Sequence, residues 1–91
     1  MKELSIKHDT MAVIYKQIGK NVKEKRNQKD LSQLKLALAI GHNSVGTISM
    51  CELYTNKKHF NIEHLVKIAD VLEVDVCEFF KGISVEDIDK I

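Results

Sequence analysis

Between His42 and Cys51 the chain carries a run of small polar side chains, Asn43, Ser44, Thr47 and Ser49, with Gly46 and Met50 among them. These residue types suit reading the edges of nucleic-acid bases. Asn can pair with adenine, Ser and Thr can bond several base edges, and a Met or Thr methyl can touch the thymine methyl. No lysine or arginine stands in this stretch, so the commonest guanine contact is missing. The expectation is a preference for A·T-containing half-sites, or help from the N-terminal arm. Lys57, Lys58 and His59 follow closely and are candidate phosphate contacts, which add salt-dependent affinity without sequence information.

Other chemistries fit less well. The chain has no glycine-rich phosphate loop, no paired acids suggesting a cleft and no nucleophile elbow, so neither an enzyme nor a cofactor is expected. His59 and His64 have a spacing compatible with zinc, but Cys51 and Cys77 do not form the close pair such sites use. No metal site is expected, and both cysteines read as reduced thiols serving as small core residues. No apolar run approaches the ~20 residues of a membrane span, and the N-terminus lacks the apolar centre of a signal peptide. The expected location is the cytoplasm, with no membrane partner.

Ninety-one residues allow one core. The absence of proline and the presence of only four glycines favour helices with short connections. Formal net charge is +1, but it is segregated. Residues 1–69 carry 12 Lys/Arg against 6 Asp/Glu, a net of +6, whereas residues 70–91 carry 2 against 7, a net of −5. A basic part facing phosphate and an acidic end facing away would suit a nucleic-acid partner.

The polar run must be held by neighbouring elements. Residues 1–9 read as an N-terminal arm, residues 10–82 as the domain and residues 83–91 as a tail or short sixth helix. Thr10 can cap a first helix whose stripe is Met11, Ile14, Tyr15, Ile18 and Val22. Ser32 caps a second helix, stapled by Leu31 and Leu36, that runs to about Ile40. Gly41 then sits where a left-handed backbone is needed. Asn43 or Ser44 caps a third helix that should bury Val45, Ile48 and Cys51. Asn61 caps a fourth, with Ile62, Leu65, Val66, Ala69 and Leu72 inward. Asp75 caps a short fifth with Val76, Phe79 and Phe80, which Gly82 ends. Ser84-Val-Glu-Asp resembles a further capping box. A capped helix, a glycine stop and a second capped helix make a helix-turn-helix unit, which places its second helix in the DNA major groove.

The ordered set Ile18-Gly19, Val22, Arg26, Leu31-Ser32-Gln33, Leu36-Ala37, Ile40-Gly41, Thr47-Ile48-Ser49, Glu52, Leu65, Lys67-Ile68-Ala69, Leu72, Val74 and Phe79-Phe80 resembles the phage-repressor-like (xenobiotic-response-element) helix-turn-helix family. The resemblance covers about residues 17–81 and implies an all-α, five-helix DNA-binding domain. It implies that Gln33 bonds a DNA phosphate and that Arg26 and Glu52 form a scaffold ion pair. The chain departs from the family pattern in several places. One extra residue lies between Gly41 and Ile48. The loop after Glu52 is about two residues longer, and Met50 stands where a basic residue is common. Leu34 and Leu38 replace polar residues, leaving an apolar strip that a protein partner, or the N-terminal segment with Met11 and Tyr15, would cover.

The expected function is sequence-specific binding of double-stranded DNA by a transcriptional regulator of repressor type. A homodimer would read half-sites about one helical turn (~34 Å) apart. Phe80, Ile83, Val85, Ile88 and Ile91 are the candidate dimer contact, and Phe79 or Phe80 can instead complete the monomer core. Alternatives are an antitoxin or restriction-modification controller on the same fold, or a protein-interaction module that has lost DNA binding. The near-zero net charge and the missing arginine favour the last.

Overall fold

A computed structural model describes residues 1–6, 9–41 and 44–84. The described residues form four α-helices and two short 3₁₀ helices, with no strand among them. The helices are α1 (Thr10–Gln28), α2 (Gln33–Ala39), α3 (Val45–Leu53) and α4 (Ile62–Leu72). Thr55–Lys57 and Val76–Phe80 are the 3₁₀ segments. The all-α expectation holds, and the expected fifth helix is present in the tighter 3₁₀ form.

Local signals set most of the boundaries. Ser32 Oγ accepts from the Lys35 amide at 3.0 Å and opens α2. Asn61 opens α4 with a reciprocal capping box, its Oδ1 accepting from the His64 amide while the Asn61 amide donates to His64 Nδ1. Asp75 Oδ1 accepts from the Cys77 amide at 2.8 Å. Thr10 is a correction. It is the first helical residue of α1 and is buried, while Asp9 is the cap. Asp9 has φ −95 and ψ 1, outside the extended region of a side-chain cap, and makes no such bond.

The core is built from Ile18, Val22, Leu36, Ala37, Ile40, Ile48, Cys51, Phe60, Leu65, Ile68, Ala69, Leu72 and Phe79. In α4 the buried stripe is Leu65, Ile68, Ala69 and Leu72, an i, i+3, i+4, i+7 set. Ile62 and Val66, expected inside, fall at the edge of that stripe and are exposed. Cys77, expected in the core, is also exposed. The 3₁₀ period of three turns Val76 and Phe79 inward together and leaves Cys77, next to Val76, outside.

The 3₁₀ helix Val76–Phe80 is fastened to α1 by Asn21, whose Nδ2 donates to the carbonyls of Phe79 (2.9 Å) and Lys81 (2.8 Å). Gln17 Nε2 donates in turn to Asn21 Oδ1. The expected sixth helix after Ser84 lies outside the described residues.

Candidate nucleic-acid interface

Helix α2 ends at Gly41, whose φ of +85 is the left-handed region open to glycine. Among the described residues, its chain neighbours aside, no atom lies within 4 Å of where its side chain would begin, so backbone conformation is what calls for glycine there. Behind the α2–α3 pair, Arg26 grips Glu52 in a two-pronged bond, Nε to Oε2 at 2.8 Å and Nη2 to Oε1 at 3.1 Å. Arg26 Nη1 donates to the Leu31 carbonyl at 2.8 Å. Both charged side chains are buried, so losing either partner would strand the other. Gln33 Nε2 donates to Glu52 Oε1 at 2.9 Å. One carboxylate thus binds α1, α2 and α3 together. The ion pair implied by the resemblance is present, and Gln33 joins it. One amide hydrogen of Gln33 is thus committed inward, to Glu52.

Helix α1 can approach α3 closely because residue 19 is glycine. A Cβ there would lie 2.5 Å from the Glu52 carbonyl oxygen and 2.6 Å from that of Cys51.

Helix α3 buries Ile48, Cys51 and Glu52. Val45 is a correction, at 42% exposed instead of buried. The buried carboxylate of Glu52 draws the inward face toward i, i+3, i+4 from Ile48 and turns the first residue of the helix outward. Ser44 is the cap by position but makes no side-chain capping bond, and it is exposed. Gly46, Thr47, Ser49 and Met50 are half-buried, and Leu53 is exposed. Asn43 lies outside the described residues. The outward surface of α3 is therefore more apolar than the sequence suggested, with Val45 added as a group able to meet a thymine methyl. Burial pushes the Cys51 thiol up, with the Lys58 charge opposing.

The loop after α3 presents Lys57, Lys58 and His59, all exposed. Its backbone is unusual, with left-handed φ at three non-glycine residues, Tyr54 (58), Asn56 (54) and Lys57 (62). That conformation costs roughly 1–2 kcal/mol per residue, less for Asn. The His59 ring stacks on Tyr15 of α1, with centroids 3.8 Å apart and planes 18° from parallel. Tyr54 stacks on Tyr15 with centroids 5.9 Å apart and lies tilted beside His59 at 6.4 Å. His59 Nδ1 lies 3.1 Å from the Lys57 carbonyl, which can only accept, so Nδ1 carries the hydrogen. The neutral ring then offers Nε2 as an acceptor, and only the imidazolium can donate to a phosphate.

Leu34 and Leu38 stand 54% and 65% exposed. The described N-terminal residues do not cover them. Residues 1–6 are themselves exposed, and Met11 and Tyr15 line a separate surface groove of about 330 Å³ with Phe60, Ile62 and Phe80. Phe79 is fully buried and belongs to the core, Phe80 is exposed at the groove and Ile83 is half-buried against the core. Val85, Ile88 and Ile91 lie outside the described residues. His64, weighed for zinc, spends Nδ1 in the α4 capping box.

Two functional arrangements escaped the sequence, the Tyr15–His59 stack and the Asn21 clamp. A mid-helix Asn one residue from Val22 was the available sign for Asn21, because Asn is a poor helix interior residue unless its amide has work. Nothing in the sequence pairs position 15 with position 59.

Fold and site together define a helix-turn-helix DNA-binding domain. Residues 22–79 match a family model described as helix-turn-helix. That span is more than half the chain, which therefore belongs to the xenobiotic-response-element, phage-repressor-like helix-turn-helix family. The chain matches no curated protein and no solved structure at a significant level. The family is of DNA-binding, transcription-regulator type and is generally non-enzymatic. Among the described residues no helix is long and apolar enough to cross a membrane.

Proposed function

We propose that this protein is a transcriptional repressor that binds double-stranded DNA sequence-specifically as a homodimer. The carrying observation is the α2–turn–α3 unit, locked from behind by Glu52 while both ends of α3 stay accessible. Ser44 and Val45 stand at one end, with Asn43 before them, and Gly46, Thr47, Ser49 and Met50 continue the base-reading set. Lys57 and Lys58 stand at the other, about 13 Å away for nine helical residues. Base contacts by the first end specify, and phosphate contacts by the second, with Gln33 and protonated His59, position. Phe80 and Ile83, continued by Val85, Ile88 and Ile91, are the dimer contact, and residues 1–9 act as an arm. Its place of work on this reading is the cytoplasm.

Selection from random duplexes, followed by a salt titration on the recovered site, tests this. Two-fold symmetric, A·T-containing half-sites with a steep fall in affinity as salt rises are expected. G-rich half-sites contacted by α3 would contradict the assignment. A second reading, a protein-interaction module, is favoured by exposed Leu34 and Leu38, which would seat a protein partner. It prevails if the folded chain binds no duplex even in dilute buffer.

A further inference from the structure

We propose that Tyr15 is a positioning residue for backbone binding, and that by stacking on His59 it holds the 54–60 loop in the shape that presents Lys57 and Lys58. The inference rests on the phosphate role given to those lysines above.

The loop has few bonds of its own to hold this shape. Its internal backbone bonds span one turn each, Lys57 N to the Tyr54 carbonyl at 3.3 Å and Lys58 N to the Thr55 carbonyl at 3.1 Å. Against them stand three left-handed non-glycine residues, and such a backbone persists only where surrounding structure over-determines it. The surrounding structure here is aromatic. His59 lies face to face on Tyr15 although the residue as a whole is exposed, and its Nδ1 holds the carbonyl of left-handed Lys57. Tyr54, at the start of the same loop, stacks on Tyr15 from 5.9 Å. Both ends of the loop therefore meet one ring.

That ring belongs to α1, the helix that Gly19 and Arg26 fasten to α3. The lysines are thereby referenced to the same rigid body as the base-reading helix. Among the described residues neither lysine has a carboxylate partner, so both charges are available to phosphate. A loop already in its bound shape loses less freedom on binding. The stack adds affinity through order, without touching a base.

The test is fluorescence anisotropy of the full chain on a random-sequence duplex across a salt series, with thermal melts reporting the folded fraction. Tyr15→Ala is expected to weaken binding about 5–10-fold and to make the salt dependence shallower by about one phosphate contact, and His59→Ala, which also removes that residue's own contact, by at least as much. The double variant should be no weaker than the weaker single, since both break one clasp. Tyr15→Phe, which keeps the ring, should restore affinity and slope. A general loss of stability would move the melt and leave the slope of the folded protein unchanged. Folded Tyr15→Ala with wild-type affinity and slope overturns the proposal. Should that variant fail to fold, wild-type behaviour of His59→Ala overturns it from the exposed side. Wild-type protein that binds while Lys57→Ala/Lys58→Ala keeps its salt slope removes the phosphate role and this inference with it. Wild-type protein that binds no duplex overturns the DNA-binding reading itself.

Discussion

The inner side of α3 and the loop beyond its C-terminus meet the rest of the molecule in opposite ways. Along its inner side the helix is held by a charged group taken out of water. Glu52 accepts from Arg26 and Gln33, and Gly19 lets the α1 backbone come into contact. Beyond its C-terminus the chain is held by rings stacked at the surface, Tyr15 on His59 with Tyr54 beside them. The inner junction is dry and intolerant of a missing partner. The outer one is wet, adjustable and carries the lysines. A helix that must be aimed needs the first kind of support, and a loop that must meet a flexible, hydrated backbone can use the second.

The contrast can be broken at its strong side first. Glu52→Ala or Arg26→Ala should lose about 3–5 kcal/mol in urea denaturation, because each strands a buried opposite charge. Gly19→Ala should lose about 1–3 kcal/mol by forcing α1 away from the Cys51 and Glu52 carbonyls. A value near zero would mean that the close approach is not needed. At the outer junction His59→Ala should lose only about 0.5–1.5 kcal/mol, the worth of an aromatic pair, although it weakens DNA binding as described above.

Chemical labelling sharpens the same division. Cys77 should react with a thiol reagent in the native protein while buried Cys51 stays protected until unfolding. Cys77 should still react more slowly than a free thiol at equal pH, because its hydrogen bond with Asp75 and that residue's charge push the thiol up. The smallest effect is with acid. The Cys77 backbone amide holds Asp75 below its ordinary 3.8, and Lys81, with Lys25, holds Glu78 below its ordinary 4.5. Their contribution is full above those ordinary values and fades as pH falls through the lowered ones. Denaturation midpoints should thus be flat near neutrality and decline below about pH 4. Replacing both carboxylates by their amides should flatten part of that decline.

The caps at Ser32, Asn61 and Asp75 and the left-handed Gly41 were readable because each is a bargain struck within four residues of backbone. The Arg26–Glu52 pair was readable only through the family resemblance. The register of α3 was not. Val45 counts as apolar in any periodicity, and only the buried carboxylate three-dimensionally opposite Arg26 decides that it turns outward. Ile62 and Val66 misled for the same reason, since two adjacent stripes of α4 are both apolar and the neighbours choose between them. Cys77 was placed in the core by α-helical spacing, whereas the chain there adopts the tighter 3₁₀ spacing.

By itself the amino-acid order determined an all-helical chain, most of the places where helices start and stop, and a turn that brings two of them together, because capping and glycine geometry are local. Only the folded molecule decided which side of α3 faces outward, that Gln33 leans on Glu52, and that rings 44 positions apart clasp the lysine loop. Those outcomes depend on what lies across the core, and a helix periodicity does not say which neighbour will be there.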